Sequence, residues 1–462
     1  MSRWLFYVFL LTIVGCTDSK EQNNPDNETA NEPFASTYQP APSGSWVVRD
    51  AHILTGTGSE LHDADLWVKD GKIQAIGKDL TVDDGTLEID GRGRWLTPGL
   101  IDVHSHLGVY PAPETPAHAD GNEMTSPVTP DVWAEHSIWP QDPQFDLARA
   151  GGVTTLQILP GSANLFGGRG VTVKNVPSLT VQGMKFPGAP YSLKMACGEN
   201  PKRVYGSRKQ PPSTAMGNMA GYRKAWIDAK EYQQKWKKYR EAVAKGDKEA
   251  EPPKRDLAME TLVGVLEGKI LVHNHCYRAD EMKQMIDLAK EFGYKITAFH
   301  HAVEAYKAAP MLAKEGICAA VWADWWGFKQ EAFDMVRENL AMVDAAGACG
   351  VIHSDDPVGV QHLNQEIAKA MAAGRKMGLH ITKAHAIQWA TLFPAKALGI
   401  DKVTGSLEVG KNADVVLWDG DPFSVYTHAE KVWIDGVLQY QRGDKPRSDF
   451  YLGLKDVSEA LQ

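Results

Sequence analysis

Leu96-Thr97-Pro98-Gly99-Leu100-Ile101-Asp102-Val103-His104-Ser105-His106 is the stretch on which the reading of this chain turns. Its apolar middle reads as a short buried strand, entered through a Pro-Gly turn and closed by two histidines. Side chains at i and i+2 of a strand point to the same face, so His104 and His106 present their imidazoles together. Three later apolar runs end the same way. Val272 leads into His273-Asn274-His275, Phe299 into His300-His301, and Ile352 into His353-Ser354-Asp355. Seven of the fifteen histidines therefore fall at four strand ends, which scattered core histidines would not do. Imidazole and carboxylate together suit Zn²⁺ and related divalent ions.

Outward from these four strands the middle of the chain, residues 98–402, alternates apolar strands with helical segments. The strand candidates are 100–103, 153–159, 170–173, 191–195, 270–272, 295–299, 317–321 and 350–352. Eight such units predict an α/β fold, a (β/α)₈ TIM-type barrel whose site lies where the strands end. A Lys- and Glu-rich insertion, about 222–256, follows the fourth strand, with Glu231 four residues before Lys235 for helical pairing. At the two chain ends, residues 46–97 and 403–445 share one grammar, strands broken by the Asp-Gly pairs 70–71 and 435–436. Asp-Gly between apolar runs signals a hairpin. The two ends are expected to build one small composite β-sandwich around the inserted barrel.

The 462 residues carry a net charge of −9, which argues against nucleic-acid binding, a function that wants a basic face. Arg3 followed by apolar Trp4–Val14 reads as an export signal. It is too short to span a bilayer, which takes about 20 residues. Ile13-Val14-Gly15-Cys16 resembles a lipobox, so residues 1–16 are expected to be a lipoprotein signal with Cys16 the lipidated residue and membrane anchor. Thr17 after it favours the outer membrane, or else the periplasm, of a Gram-negative cell. Residues 17–45, rich in Asn, Glu, Pro and Ser, are expected to be a flexible tether. The remaining cysteines, Cys197, Cys276, Cys318 and Cys349, show no CxxC spacing and no disulfide framework. Cys318 and Cys349 read as inert core residues.

The stretch 96–106 resembles the first-strand signature of the amidohydrolase superfamily. Ala390–Ala395 and Lys411–Val415 resemble its imidazolonepropionase-like group, which also includes secreted dipeptidases acting on Xaa-Pro dipeptides. The resemblance implies His104, His106, His273, His301 and Asp355 as metal ligands, and Lys194 as a carbamylated bridge between two metals where there are two. Lys174 and Lys185 compete for that last role. Strand alternation would let only one of His300 and His301 be a ligand. One or two divalent ions, zinc foremost, would activate water, with Asp355 as general base and then acid. The expected reaction is hydrolysis of a C–N bond in an amide, cyclic amide or dipeptide. Deamination of a nitrogenous ring at a single metal is the alternative, and a non-catalytic scaffold the remote one. Arg169, Arg203, Tyr205, His275 and His353 are candidate substrate contacts. Trp322, Trp325 and Trp326 are a candidate pocket wall. Substrate identity and oligomeric state are left open.

Overall fold

Sixteen strands and the helices between them are seen in the computed structural model, which describes residues 34–444. The lipobox, Cys16 and most of the expected tether lie outside that range. Strands β1 (Ser45–Leu54), β2 (Glu60–Lys69), β3 (Lys72–Gly77), β4 (Leu87–Asp90) and β5 (Trp95–Pro98) come first. The barrel strands follow as β6 (Leu100–Ser105), β7 (Val153–Ile158), β8 (Phe166–Lys174), β9 (Ser192–Ala196), β10 (Leu271–Cys276), β11 (Ala298–His301), β12 (Cys318–Val321) and β13 (Gly350–Ile352). β14 (Val415–Trp418), β15 (Ala429–Ile434) and β16 (Val437–Gln441) complete the fold.

The first and last groups join in one sheet, ordered β16-β15-β14-β5-β1-β2-β3 with β4 beside β1. Both Asp-Gly pairs are hairpin turns. Asp70 and Gly71 have φ of 51° and 76°, Asp435 and Gly436 of 48° and 74°, the left-handed backbone that such turns demand. The two turns press together, and a Cβ on Gly71 would lie 2.9 Å from Asp435 O.

The second sheet runs β6 to β13 in chain order. All eight anticipated strands are present, but not all belong to parallel βα units. β8 is antiparallel to both β7 and β9. Only the short loop 159–165 joins β7 to β8, and a parallel return would need a crossover of a dozen or more residues. The insertion is also placed differently. Its helix covers Ala215–Ala244, capped by Thr214 accepting from Gly217 N, and the stretch to 256 is not helical. Its i,i+4 pairs include Lys224–Asp228. No helix among the described residues is long and apolar enough to cross a membrane.

The expectation of no disulfides is overturned. Cys197 is bonded to Cys276 and Cys318 to Cys349. Each bond links neighbouring barrel strands, β9 to β10 near their ends and β12 to β13 near their starts. Separations of 79 and 31 residues hide this pairing until the strand order is known. The tether expectation also needs trimming at its end, because the chain from Ser36 is docked. Ser36 Oγ donates to Lys185 O (2.7 Å) and Thr37 N to Gln182 O (3.0 Å).

The Tyr38 hydroxyl donates to Asp435 Oδ2 (2.7 Å), which also lies 2.8 Å from Lys174 Nζ. Lys174 sits on barrel strand β8 and is 3.6 Å from Asp414, so one buried cation clasps barrel, terminal sheet and N-terminal segment. Removing one partner of a buried ion pair strands the other in a poorly solvating interior. Lys174→Ala is expected to cost about 3–5 kcal/mol of unfolding free energy, read from urea denaturation.

Candidate metal centre and active site

β6 carries His104 and leads into His106 at one side of the barrel opening. β13 leads into His353-Ser354-Asp355 beside it. No strand ladder joins β6 to β13; the side chain of Asp102 does. It accepts from Ser354 N (3.2 Å), from Ser354 Oγ (2.5 Å) and from His104 N (3.1 Å). Asp355 N donates to His104 O (3.0 Å) alongside. Asp102 is fully buried, and that burial pushes its carboxyl up to about 7 against the pull of the three hydrogen bonds.

The Asp355 carboxylate stands at the centre of the histidines. Oδ1 is 3.2 Å from His106 Nε2 and 3.4 Å from His104 Nε2, and Oδ2 is 3.7 Å from His301 Nδ1. Its backbone has φ of 55°, a sparsely populated region that the seam contacts hold in place. His106 Nδ1 lies 2.8 Å from Leu159 O. A carbonyl only accepts, so Nδ1 carries the proton and Nε2 turns its lone pair on the site.

His300 and His301 depart from simple alternation. His301 has φ of 67° and Ala302 of 34°, so both rings reach His104, with centroids 4.8 and 4.7 Å away. Their nitrogens separate them. Those of His300 lie 2.8 Å from His104 Nδ1 and 2.8 Å from His273 Nδ1, so this ring braces its neighbours. His301 Nδ1 has no hydrogen-bond partner.

The structure brings His104, His106, Lys194, His301 and Asp355 together. His273 sits one layer lower, level with Lys194 and Ala298 in the strand register and bonded to His300. His275 lies 4.5 Å from His301 between ring centroids, with neither ring nitrogen partnered, and His273 Nε2 is likewise buried without a partner. His275 is two residues, one inward-facing step, nearer the strand end than His273. His353 Nε2 accepts from His301 N (3.3 Å), which puts the proton of its neutral ring on Nδ1. Burial holds His104, His275, His300 and His301 well below the ordinary imidazole range, with His273 near 3 and His353 near 4. They are neutral ligand-type rings. Buried nitrogens without partners are costly, and a cation is what such a donor set accepts.

Among the lysines, Lys174 is held by Asp414 and Asp435, and Lys185 by Glu135 and Tyr191. Only Lys194 reaches the site, with Nζ 3.2 Å from His104 Nε2 and donating to Pro160 O (2.9 Å). Burial brings its ammonium down to about 7, so an uncharged amine is accessible at neutral pH.

Two of the five substrate candidates, Arg169 and Tyr205, are engaged elsewhere. Arg169 stacks 4.1 Å over Trp133 and donates to Thr261 Oγ1 (2.7 Å). Arg203 is exposed on the helix Glu199–Ser207. Tyr205 is buried, its hydroxyl 2.6 Å from Ser126 O and 2.5 Å from Asn164 Oδ1, where it staples loops together. The wall is aromatic. Trp322 stacks on His301 (4.4 Å) and Tyr277 lies 5.2 Å from the same ring. Trp325 and Phe328 extend the wall outward. Lys329, absent from the sequence reading because nothing local marks it, sits 3.8 Å over Tyr277 with Glu331 3.5 Å away.

Residues 270–440 match the amidohydrolase family model. An amidohydrolase from Thermotoga maritima MSB8 is 35% identical, with 86% of this chain and 100% of that one covered and a TM-score of 0.79. The amidohydrolase tasK of Hapsidospora irregularis is 33% identical over 87% of this chain, which spans 42% of that protein's length. An imidazolonepropionase of Rhizobium rhizogenes is 25% identical over 81% of this chain and 91% of its own.

The seam at Asp102 makes a direct prediction. Asp102→Ala orphans three buried donors, each worth about 1–3 kcal/mol. Unfolding free energy should fall by about 3 kcal/mol or more, with Asp102→Asn milder. A change within about 0.5 kcal/mol would show that the seam does not depend on it.

With its first-strand signature at the barrel opening and a fold shared with the Thermotoga maritima protein over that protein's whole length, the chain belongs to the amidohydrolase superfamily, among its imidazolonepropionase-like members.

Proposed function

We propose that the chain hydrolyses the C–N bond of an amide, cyclic amide or dipeptide of the Xaa-Pro kind, with one or two divalent ions, zinc foremost, held at the barrel opening. The observation that carries this reading is the convergence of His104, His106 and His301 on the carboxylate of Asp355, with Lys194 beside them. These residues are the ligands, together with His273, whose buried Nε2 has no hydrogen-bond partner. A divalent ion there supplies a polarised carbonyl and an acidified water.

The chain's own groups do the rest. Asp355 takes the proton of the attacking water and returns it to the departing nitrogen. His106 is held with its lone pair facing inward by Leu159 O, and His104 is braced by His300. Lys194, whose uncharged amine is accessible at neutral pH, would stand among the ligands, and the carbamate it would form by adding to CO₂ with loss of a proton would make it an anionic one. Trp322, Tyr277, Trp325 and Phe328 offer an apolar wall to the substrate. His353 offers it a proton on Nδ1, and Lys329 a cation at the rim. Deamination would need one ion and would leave Lys194 without a role.

Export and anchoring at Cys16 belong to the same proposal. Two disulfides in a chain of this size suit an oxidising compartment, as the signal-like N-terminus does.

Asp355→Asn should lower kcat by about 10²–10⁴ while metal content is largely kept. Wild-type turnover in that variant would remove Asp355 from the proton transfer. Elemental analysis of the chain lacking residues 1–16 should find two ions, falling to one or none in Lys194→Ala. A single ion, unchanged by that substitution, would favour the deaminase reading.

A further inference from the structure

We propose that His52, Glu60 and His62 form a second divalent-cation site, on the terminal β-sheet and separate from the barrel. His52 lies on β1; Glu60 and His62 lie on β2, its antiparallel neighbour. Glu60 and His62 are two apart and share a face of the strand. Across the ladder, Ile53 faces Leu61 and Ala51 faces Ala64, so His52 alone stands opposite two residues, His62 and Asp63. That is a bulge, with Asp63 at φ of 48° taking the strain, and bulges redirect neighbouring side chains. Here His62 is brought over the ring of His52, 4.2 Å between centroids.

Three ligand atoms then meet at one spot. His52 Nε2 is 2.6 Å from Glu60 Oε1, and His62 Nε2 is 3.9 Å from the same oxygen. One ligand atom from each residue lies within 4.8 Å of the others. Bond lengths of roughly 2.0–2.1 Å in a tetrahedral zinc site place ligands about 3.3 Å apart. Opening the shorter distance and closing the longer ones takes small rotations of side chains that are 21%, 31% and 65% exposed, and solvent supplies the remaining position.

A hydrogen bond between His52 and Glu60 would satisfy that pair alone, so His62 is what distinguishes a metal site from an ordinary pair. Lys383 is the nearby cation; it lies 4.9 Å from the Trp95 ring, on which His52 stacks, and is itself paired with Asp421. Glu60 is thus free to balance a bound ion. Such an ion ties the two strands together beside the turn 55–59. The donor set, two imidazoles and a carboxylate, suits Zn²⁺, Ni²⁺ or Cu²⁺.

The test is equilibrium dialysis of the full chain, active-site metal in place, against micromolar Zn²⁺ at neutral pH. Wild type should hold one zinc more per chain than His62→Ala, and Glu60→Gln should bind that zinc about tenfold more weakly or worse, since even outer partners of a ligand contribute that much. His62 is exposed and outside the barrel site, so basal activity should be unchanged. As a second readout, Ni²⁺ should quench the fluorescence of Trp95, whose ring is stacked 3.5 Å from that of His52, and the quenching should be lost in His62→Ala. Equal zinc content and equal quenching in wild type and His62→Ala would overturn the proposal.

Discussion

A barrel must close, and in this protein the last and first strands meet through one carboxylate rather than through a ladder of backbone bonds. Asp102 reaches across the seam to Ser354 while holding the amide of His104 on its own strand. The amide of Asp355 completes the join on His104 O. The groups that close the fold are thus immediate neighbours of the groups proposed to do the chemistry. A slip of the seam would separate the Asp355 carboxylate from His104 and His106, and the positive φ of Asp355 is tolerable only because both flanks are tied down.

Above the seam the barrel opening holds an unusual density of buried imidazole. Desolvation keeps these rings neutral, and neutral rings offer lone pairs. Within such a group hydrogen bonds satisfy only part of the demand. His300 consumes one nitrogen each of His104 and His273, and Leu159 O orders His106, while both nitrogens of His275 and Nδ1 of His301 are left without partners. A folded interior rarely tolerates that without a ligand to receive them. The lysine in the same place obeys the same logic. Its amine is stripped of water and has no carboxylate partner nearer than Asp355, so the uncharged form is within reach at neutral pH.

Much of this was legible because strands betray themselves by apolar runs, and the histidines sit where those runs stop. Eight strands, both Asp-Gly hairpins and the joining of the two chain ends could be read locally. What depended on three-dimensional neighbours could not. The disulfides pair residues on adjacent strands, and adjacency is a property of sheet order. β8 reverses direction because its loop is short, a feature that an alternation of strands and helices does not register. His301 escapes alternation through a left-handed backbone that no residue type announces. Arg169, in a Gly-rich run before a strand, and Tyr205, in the stretch after the fourth strand, are side chains fit for a binding site, yet Trp133, Thr261 and Asn164 claim them.

The eleven residues from Leu96 to His106 were so informative because nearly all of them have two neighbours to satisfy at once. Leu96 packs in the terminal sheet's core, and Thr97 accepts from the indole of Trp418 (3.0 Å). Gly99 is the junction between the two sheets; a Cβ there would fall 2.1 Å from Thr154 Oγ1, so only glycine allows β5 to pass into β6. Leu100, Ile101 and Val103 fill the barrel, Asp102 closes it, and His104 and His106 face the opening. From Leu96 to Ser105 every residue is buried, and His106 is only partly exposed. A substitution in this stretch therefore disturbs packing, closure or the site, and often two of these together. The constraint on the signature is as much architectural as chemical, which is why a short piece of sequence can announce both the barrel and the place where its ligands converge.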